Sequence, residues 1–123
     1  MDRLLLVEHN PLLREGLATL LEWQTGLSSV LAGSLAEAKD LLEEADSKPA
    51  CAIVDLDLPN GEANELLERL DGTPVLALVE GRGLRRRAEA EVLGAEEVLW
   101  KGSVEKIGAA VRRLVGPRTI GAF

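Results

Sequence analysis

Aromatic side chains are nearly missing from this chain: Trp23, Trp100 and Phe123 are the only three among 123 residues, and there is no tyrosine. That excludes the stacking platforms that hold single-stranded nucleic acid. Basic residues are outnumbered, 14 Lys and Arg against 21 Asp and Glu, for a net charge of −7. Such a balance argues against direct binding to a nucleic-acid backbone. A single cysteine, Cys51, rules out an intramolecular disulfide and suits a reducing cytoplasm, the expected location. The N-terminal apolar run Leu4–Val7 is too short for a signal-peptide core or a membrane span, so no membrane role is expected. No low-complexity segment occurs. What remains is one acidic domain, long enough for a core covered on two faces.

The chain reads as strands alternating with helices. Arg3–Val7 is an apolar first strand, followed by Asn10, a good N-cap, and Pro11 at the first helical position. Leu13, Leu17, Leu20 and Leu21 recur at helical spacing, and Gly26 suits a left-handed helix end. Ser29–Ala32 is a short second strand, and Ser34-x-x-Glu37 is a capping box for a helix with Leu35, Ala38, Leu41, Leu42 and Ala45 on its apolar face. Ala50–Val54 is a third strand buried on both faces, bounded by Pro49 and Pro59-Asn60-Gly61. Glu62–Leu70 is helical, with Ala63, Leu66, Leu67 and Leu70 in one stripe. Val75–Val79 is a fourth buried strand, and Glu80-Gly-Arg-Gly83 a glycine-rich loop. Leu84–Leu93 is a helix with few large apolar residues and a solvated Arg85-Arg86-Arg87 run, expected to pack loosely. Val98–Trp100 is the fifth strand. Ser103 caps a last helix with Ile107, Ala110, Val111, Leu114 and Val115 inward, stopped by Gly116-Pro117, and Trp100 is expected beneath it.

Five strands alternating with five helices imply an α/β fold of flavodoxin-like type. It is a (βα)5 three-layer sandwich around a parallel sheet in the order 2-1-3-4-5. Ligands of such sheets bind at the carboxyl ends of the strands, at the point where strand order reverses. Those ends deliver Glu8 and His9 (first strand), Asp55 (third), Val79 (fourth) and Lys101 (fifth) to one edge. Each alone reads as a solvated strand-end residue. Their convergence points to a site.

These residues resemble the receiver domain of bacterial two-component response regulators. The resemblance runs from Leu4 to about Val115 and rests on Leu6-Val7-Glu8 with Asn10-Pro-Leu-Leu-Arg-Glu-Gly-Leu17, on Val54-Asp-Leu-Asp-Leu-Pro59 and on Lys101. The Pro-Leu-Leu-Arg-Glu-Gly-Leu run is closest to the subfamily with a C-terminal helix-turn-helix output domain, and no such domain is expected within these 123 residues. Residues 1–116 are expected to be the receiver domain, and 117–123 a tail or the start of a linker. The resemblance implies that Asp55 is the phosphoacceptor and that Lys101 binds the phosphoryl oxygens. It further implies that Glu8, Asp55 and the backbone carbonyl of Asp57 hold Mg2+, the Asp57 side chain being free. The partners it implies are a histidine kinase or phosphotransfer protein, a downstream protein or output domain, and a second copy in a homodimer. The implied role is signal relay rather than enzymatic turnover. The chemistry fits the residue types: Mg2+ takes hard oxygen ligands, and a lysine point charge offsets charge on a transferring phosphoryl group.

Four positions depart from the family pattern. His9 stands in place of the second acid, and imidazole is a poor Mg2+ ligand, so weaker metal binding is expected. Val79 replaces a Ser or Thr whose hydroxyl binds the phosphoryl group. Val98 replaces a switch aromatic, and Gly102 a proline. A hydrogen bond to a charged group contributes about 1.5–3 kcal/mol, against about 5.5 kcal/mol for a full two-state switch. The expectation is therefore an altered switch. Two alternatives compete. A pseudo-receiver of the same fold would bind partners without phosphorylation. A haloacid dehalogenase-like phosphatase would use Asp55 as nucleophile and Asp57 as acid/base, but Pro59 and the third-strand position of the motif fit it poorly.

Overall fold

The computed structural model of the chain describes residues 2–58, 63–81 and 84–116, with the backbone alone at 84–86. The strands β1 (Arg3–Val7), β2 (Ser28–Ala32), β3 (Cys51–Asp55), β4 (Val75–Val79) and β5 (Glu97–Trp100) alternate with five helices. These are α1 (Pro11–Thr25), α2 (Leu35–Glu44), α3 (Asn64–Arg69), α4 (Leu84–Val92) and α5 (Val104–Val115). All strand pairs are parallel, and the sheet order is β2-β1-β3-β4-β5, as the alternation of elements predicts. Every residue of β3 and β4 is buried, which is why both read as unbroken apolar runs.

The two-residue period of a strand sorts side chains into two layers. Leu5, Val7, Ala52, Val54, Val75, Ala77, Val79 and Val98 pack with Leu35 and Ala38 of α2, Leu66 and Leu67 of α3 and Ala90 of α4. Leu4, Leu6, Cys51, Ile53, Leu76 and Leu78 pack with Leu17, Ala18 and Leu21 of α1 and Ile107, Ala110 and Val111 of α5, and Leu99 joins them. Among the described side chains of α4 only Ala90 is buried.

Helix ends follow the local chemistry. The Asn10 carboxamide accepts the N–H groups of Leu12 and Leu13, Pro11 begins α1, and Gly26 ends it at φ +73° while donating its N–H to the Glu22 carbonyl. Asn10→Ala is expected to cost about 1 kcal/mol, read as a lower thermal midpoint, because two first-turn donors lose their acceptor. Ser34 accepts the Glu37 N–H at 3.1 Å, but the Glu37 carboxylate reaches back to Gly33 N–H, one residue before the expected partner.

Two side chains lie elsewhere than the sequence predicts. Ser103 occupies the N-cap position of α5 but makes no side-chain capping bond. Trp100 does not lie beneath α5. It shares the sheet face of Val98, two residues earlier, remains 40% exposed, and turns its indole onto Gly102. The predicted helix start at Glu62, the Pro59-Asn60-Gly61 turn, the loop residues Arg82 and Gly83, the side chains of Arg85 and Arg86, and the stop at Pro117 fall outside the described residues.

Candidate functional site

The parity that builds the α1/α5 layer also builds the site. Glu8 lies two residues beyond Leu6, Asp55 two beyond Ile53 and Lys101 two beyond Leu99, so each continues the same face past the packed core. Adjacent strands bring the three ends together, since β3 lies between β1 and β4, and β5 lies beyond β4. Glu8 and Asp55 are each only 1% exposed, and the Lys101 ammonium stands between them. Its Nζ is 2.8 Å from Asp55 Oδ1 and 3.6 Å from Glu8 Oε1.

Two buried carboxyls and one cation leave the cluster one charge short. Burial, with the Asp55 carboxylate facing it, pushes the Glu8 carboxyl up to about 7 against the pull of Lys101. Burial acts to lower Lys101, but the Asp55 hydrogen bond and the charges of Asp55 and Glu8 outweigh it and hold the ammonium above its usual value. Glu8 Oε2 is buried without a hydrogen-bond partner. An orphaned buried acceptor costs free energy that a proton or a cation there would recover.

The loop after β3 is tied to the site by its own backbone. Asp55 Oδ1 also accepts the Asp57 N–H at 2.8 Å, an Asx turn that fixes the carboxylate's orientation. The Asp57 side chain is not free as predicted: its Oδ2 accepts the Glu80 N–H at 2.7 Å and fastens the β3 end to the β4 end. No sequence signal marks this bond, because it joins residues 23 apart across two strand ends. Asp57→Ala is expected to speed exchange of the Glu80 amide about tenfold, the equivalent of roughly 1.4 kcal/mol. Hydrogen-exchange mass spectrometry on a peptide spanning Glu80 reads this directly.

The altered positions sit around the cluster differently. His9 is exposed at the rim, and among the described residues it makes no ion pair. Val79 and Val98 are both buried at 4% exposure in the opposite layer, against α2, α3 and α4. Gly102 meets the Trp100 ring.

The donor set fits a hard divalent cation. Glu8 offers a buried oxygen without a partner, and Asp55 a second carboxylate beside it. Among the described residues no three His, Cys, Asp or Glu side chains group to hold a metal. A cation here would thus take a backbone carbonyl and water as well, which suits Mg2+. Elsewhere, burial with the charge of Glu96 pushes the Cys51 thiol up to about 12, so it is an inert core group. No helix among the described residues is long and apolar enough to cross a membrane.

The response regulator receiver domain profile matches residues 4–112 of the chain. No curated protein matches it. Among solved structures, the non-phosphorylated HemR receiver domain from Leptospira biflexa is 26% identical, with a TM-score of 0.81, covering 96% of this chain and 97% of that one. A Burkholderia pseudomallei response regulator carrying a phosphorylated aspartic acid, a calcium ion and citrate is also 26% identical. Its TM-score is 0.78, and the match covers 94% of this chain and 69% of that one. A CheY-like receiver domain from Methanospirillum hungatei JF-1 is 18% identical, with a TM-score of 0.80 and 94% of both chains covered.

Proposed function

The chain belongs to the response regulator receiver domain family, and from that premise we propose that Asp55 is its phosphoacceptor, with Lys101 and Glu8 as the working partners. The observation that carries this reading is the buried Glu8–Asp55–Lys101 cluster, with Lys101 Nζ 2.8 Å from Asp55. An Asp55 carboxylate oxygen attacks the phosphorus of a phosphohistidine on a kinase or phosphotransfer protein. The P–O bond forms as the P–N bond breaks, and the imidazole nitrogen takes up a proton as it leaves. Lys101 offsets charge on the transferring oxygens. The Asp57 N–H holds the nucleophile in place.

Glu8 and Asp55, with the Asp57 carbonyl, would hold Mg2+, which when bound neutralises phosphoryl charge. His9 at the rim adds no carboxylate, so the affinity is lower than an acid at that position would give. Residues 1–116 form the receiver unit. Signalling passes to a downstream protein or output domain through protein contacts, with a second copy as a further partner.

Val79 and Val98 favour an altered readout. Both are buried and apolar, so neither supplies a hydroxyl or a rotating aromatic ring to report phosphorylation. The same observation supports the second reading, a module of the same fold that binds its partner without phosphorylation of Asp55. Mapping the adduct decides between them. Treatment with phosphoramidate and Mg2+, then hydroxylamine, should convert a labile acyl phosphate on Asp55 into a hydroxamate with release of inorganic phosphate, and peptide mass analysis should place that hydroxamate on the Asp55 peptide. A folded protein with no such peptide leaves the phosphate-independent module.

A further inference from the structure

The residues at positions 100 and 102 make one device together. Lys101 N–H donates to the Val79 carbonyl at 2.9 Å, and Ser103 N–H donates to the Trp100 carbonyl at 3.0 Å. Trp100–Ser103 is thus a tight turn with Lys101 and Gly102 at its centre. The Trp100 indole folds back over this turn. A Cβ placed on Gly102 would lie 2.5 Å from Cζ2 of the ring and 2.7 Å from Cζ3, nearer still to Cη2. Real Cβ atoms do not approach so closely, so alanine here would push the partly exposed indole off the turn. Only glycine coexists with the indole where it lies. The residue whose side chain grips Asp55 is therefore held in a turn clasped by its own neighbour's ring.

We propose that Trp100 is a positioning residue for Lys101. The indole on Gly102 fixes the turn so that Nζ reaches Asp55 and Glu8, and it shifts when that ion pair is broken. A lysine ammonium is a point charge on a flexible four-carbon stem, so its placement depends on how firmly its backbone is held. The clasp does that locally. It also accounts for Val98 and Gly102 jointly: the aromatic group stands two residues later on the same face, in register with Val79, and glycine makes room for it. The part of the inference that concerns catalysis rests on the phosphoacceptor reading of Asp55. The mechanical part does not.

The test uses the Trp23→Phe protein, in which Trp100 is the sole tryptophan. Adding Asp55→Asn removes the charge that Lys101 grips. The expected result is a shift in Trp100 emission and in its quenching by acrylamide, with Asp57→Asn as a control that leaves Lys101 paired. An indole that merely fills space above Gly102 gives the same spectrum in all three proteins, and that outcome overturns the proposal. A second measurement is the phosphorylation rate with phosphoramidate. Gly102→Ala should slow it by about 10- to 100-fold, the scale of an ångström of misplacement. Trp100→Ala should slow it as well, because the clasp is gone, and the double variant should be no slower than the slower single one, because both changes remove the same contact. A Trp100→Ala protein that reacts as fast as its parent would show that the turn holds Lys101 without the indole, and would overturn the proposal. If even the parent protein takes up no phosphoryl group, the phosphoacceptor reading fails, and the spectra alone decide the clasp.

Discussion

Replacing Lys101 with methionine is expected to lower the unfolding free energy at pH 8 by about 3 kcal/mol, the scale on which removing one partner of a buried pair destabilises a protein. Lys101 is the cation between two carboxyl groups that are each 1% exposed. Methionine keeps the stem and its packing but leaves Glu8 and Asp55 facing each other without compensation. One of the two must then bind a proton, and Glu8, already held up to about 7, is the one placed to do so. The loss should therefore shrink at pH 5.5, where that proton costs little. Urea denaturation at the two pH values reads both effects. Equal loss at both would mean that the loss does not come from the charge that Lys101 sets between the two carboxyls.

The second large effect is the reverse in sign. Glu8→Gln is expected to stabilise the metal-free protein at pH 8 and to flatten its stability between about pH 4.5 and 7. In the folded chain the Glu8 proton is held up to about 7, against 4.5 for an ordinary glutamate. Between those values the folded state binds more protons than the unfolded state, so stability falls as pH rises. The contribution tied to the Glu8 proton is complete below about 4.5 and gone once the pH has passed about 7. It is on the order of 3 kcal/mol. Glutamine keeps the shape and stays neutral, so it retains that contribution at pH 8. Mg2+ should narrow the gap between the two proteins at pH 8, since a cation at Glu8 replaces the proton and stabilises only the state that binds it. Parallel pH profiles for the two proteins would contradict this account of Glu8.

Much of the fold is legible in the chain because the strongest signals are local or periodic. Asn10-Pro11 and Gly26 bracket α1 through backbone chemistry that needs no tertiary context. The apolar runs of β3 and β4 are unbroken because both faces are covered. The site is legible for the same reason: the two-residue period that places Leu6, Ile53 and Leu99 in one layer carries Glu8, Asp55 and Lys101 onward to one edge.

What escapes the sequence is where a side chain goes once several destinations are sterically open. Trp100 has the size of a core residue, yet its strand position turns it from α5, and Gly102 offers the ring a place. The Asp57 carboxylate finds a backbone amide 23 residues away, a pairing set by how two strand ends meet. Ser103 has the chemistry of a cap but makes no capping bond, because chemistry without the right backbone angles does not close one. Only the Asp57 contact is distant in sequence, and the other two turn on the backbone geometry of residues 100–103.

The measurement that bears most directly on the central claim is intact-mass spectrometry of the chain after incubation with phosphoramidate, with Mg2+ or with a chelator, beside Asp55→Asn. The expected result is a gain of one phosphoryl group that requires Mg2+ and is lost in the variant. A folded protein that gains nothing, or an Asp55→Asn protein that gains as much, would contradict it.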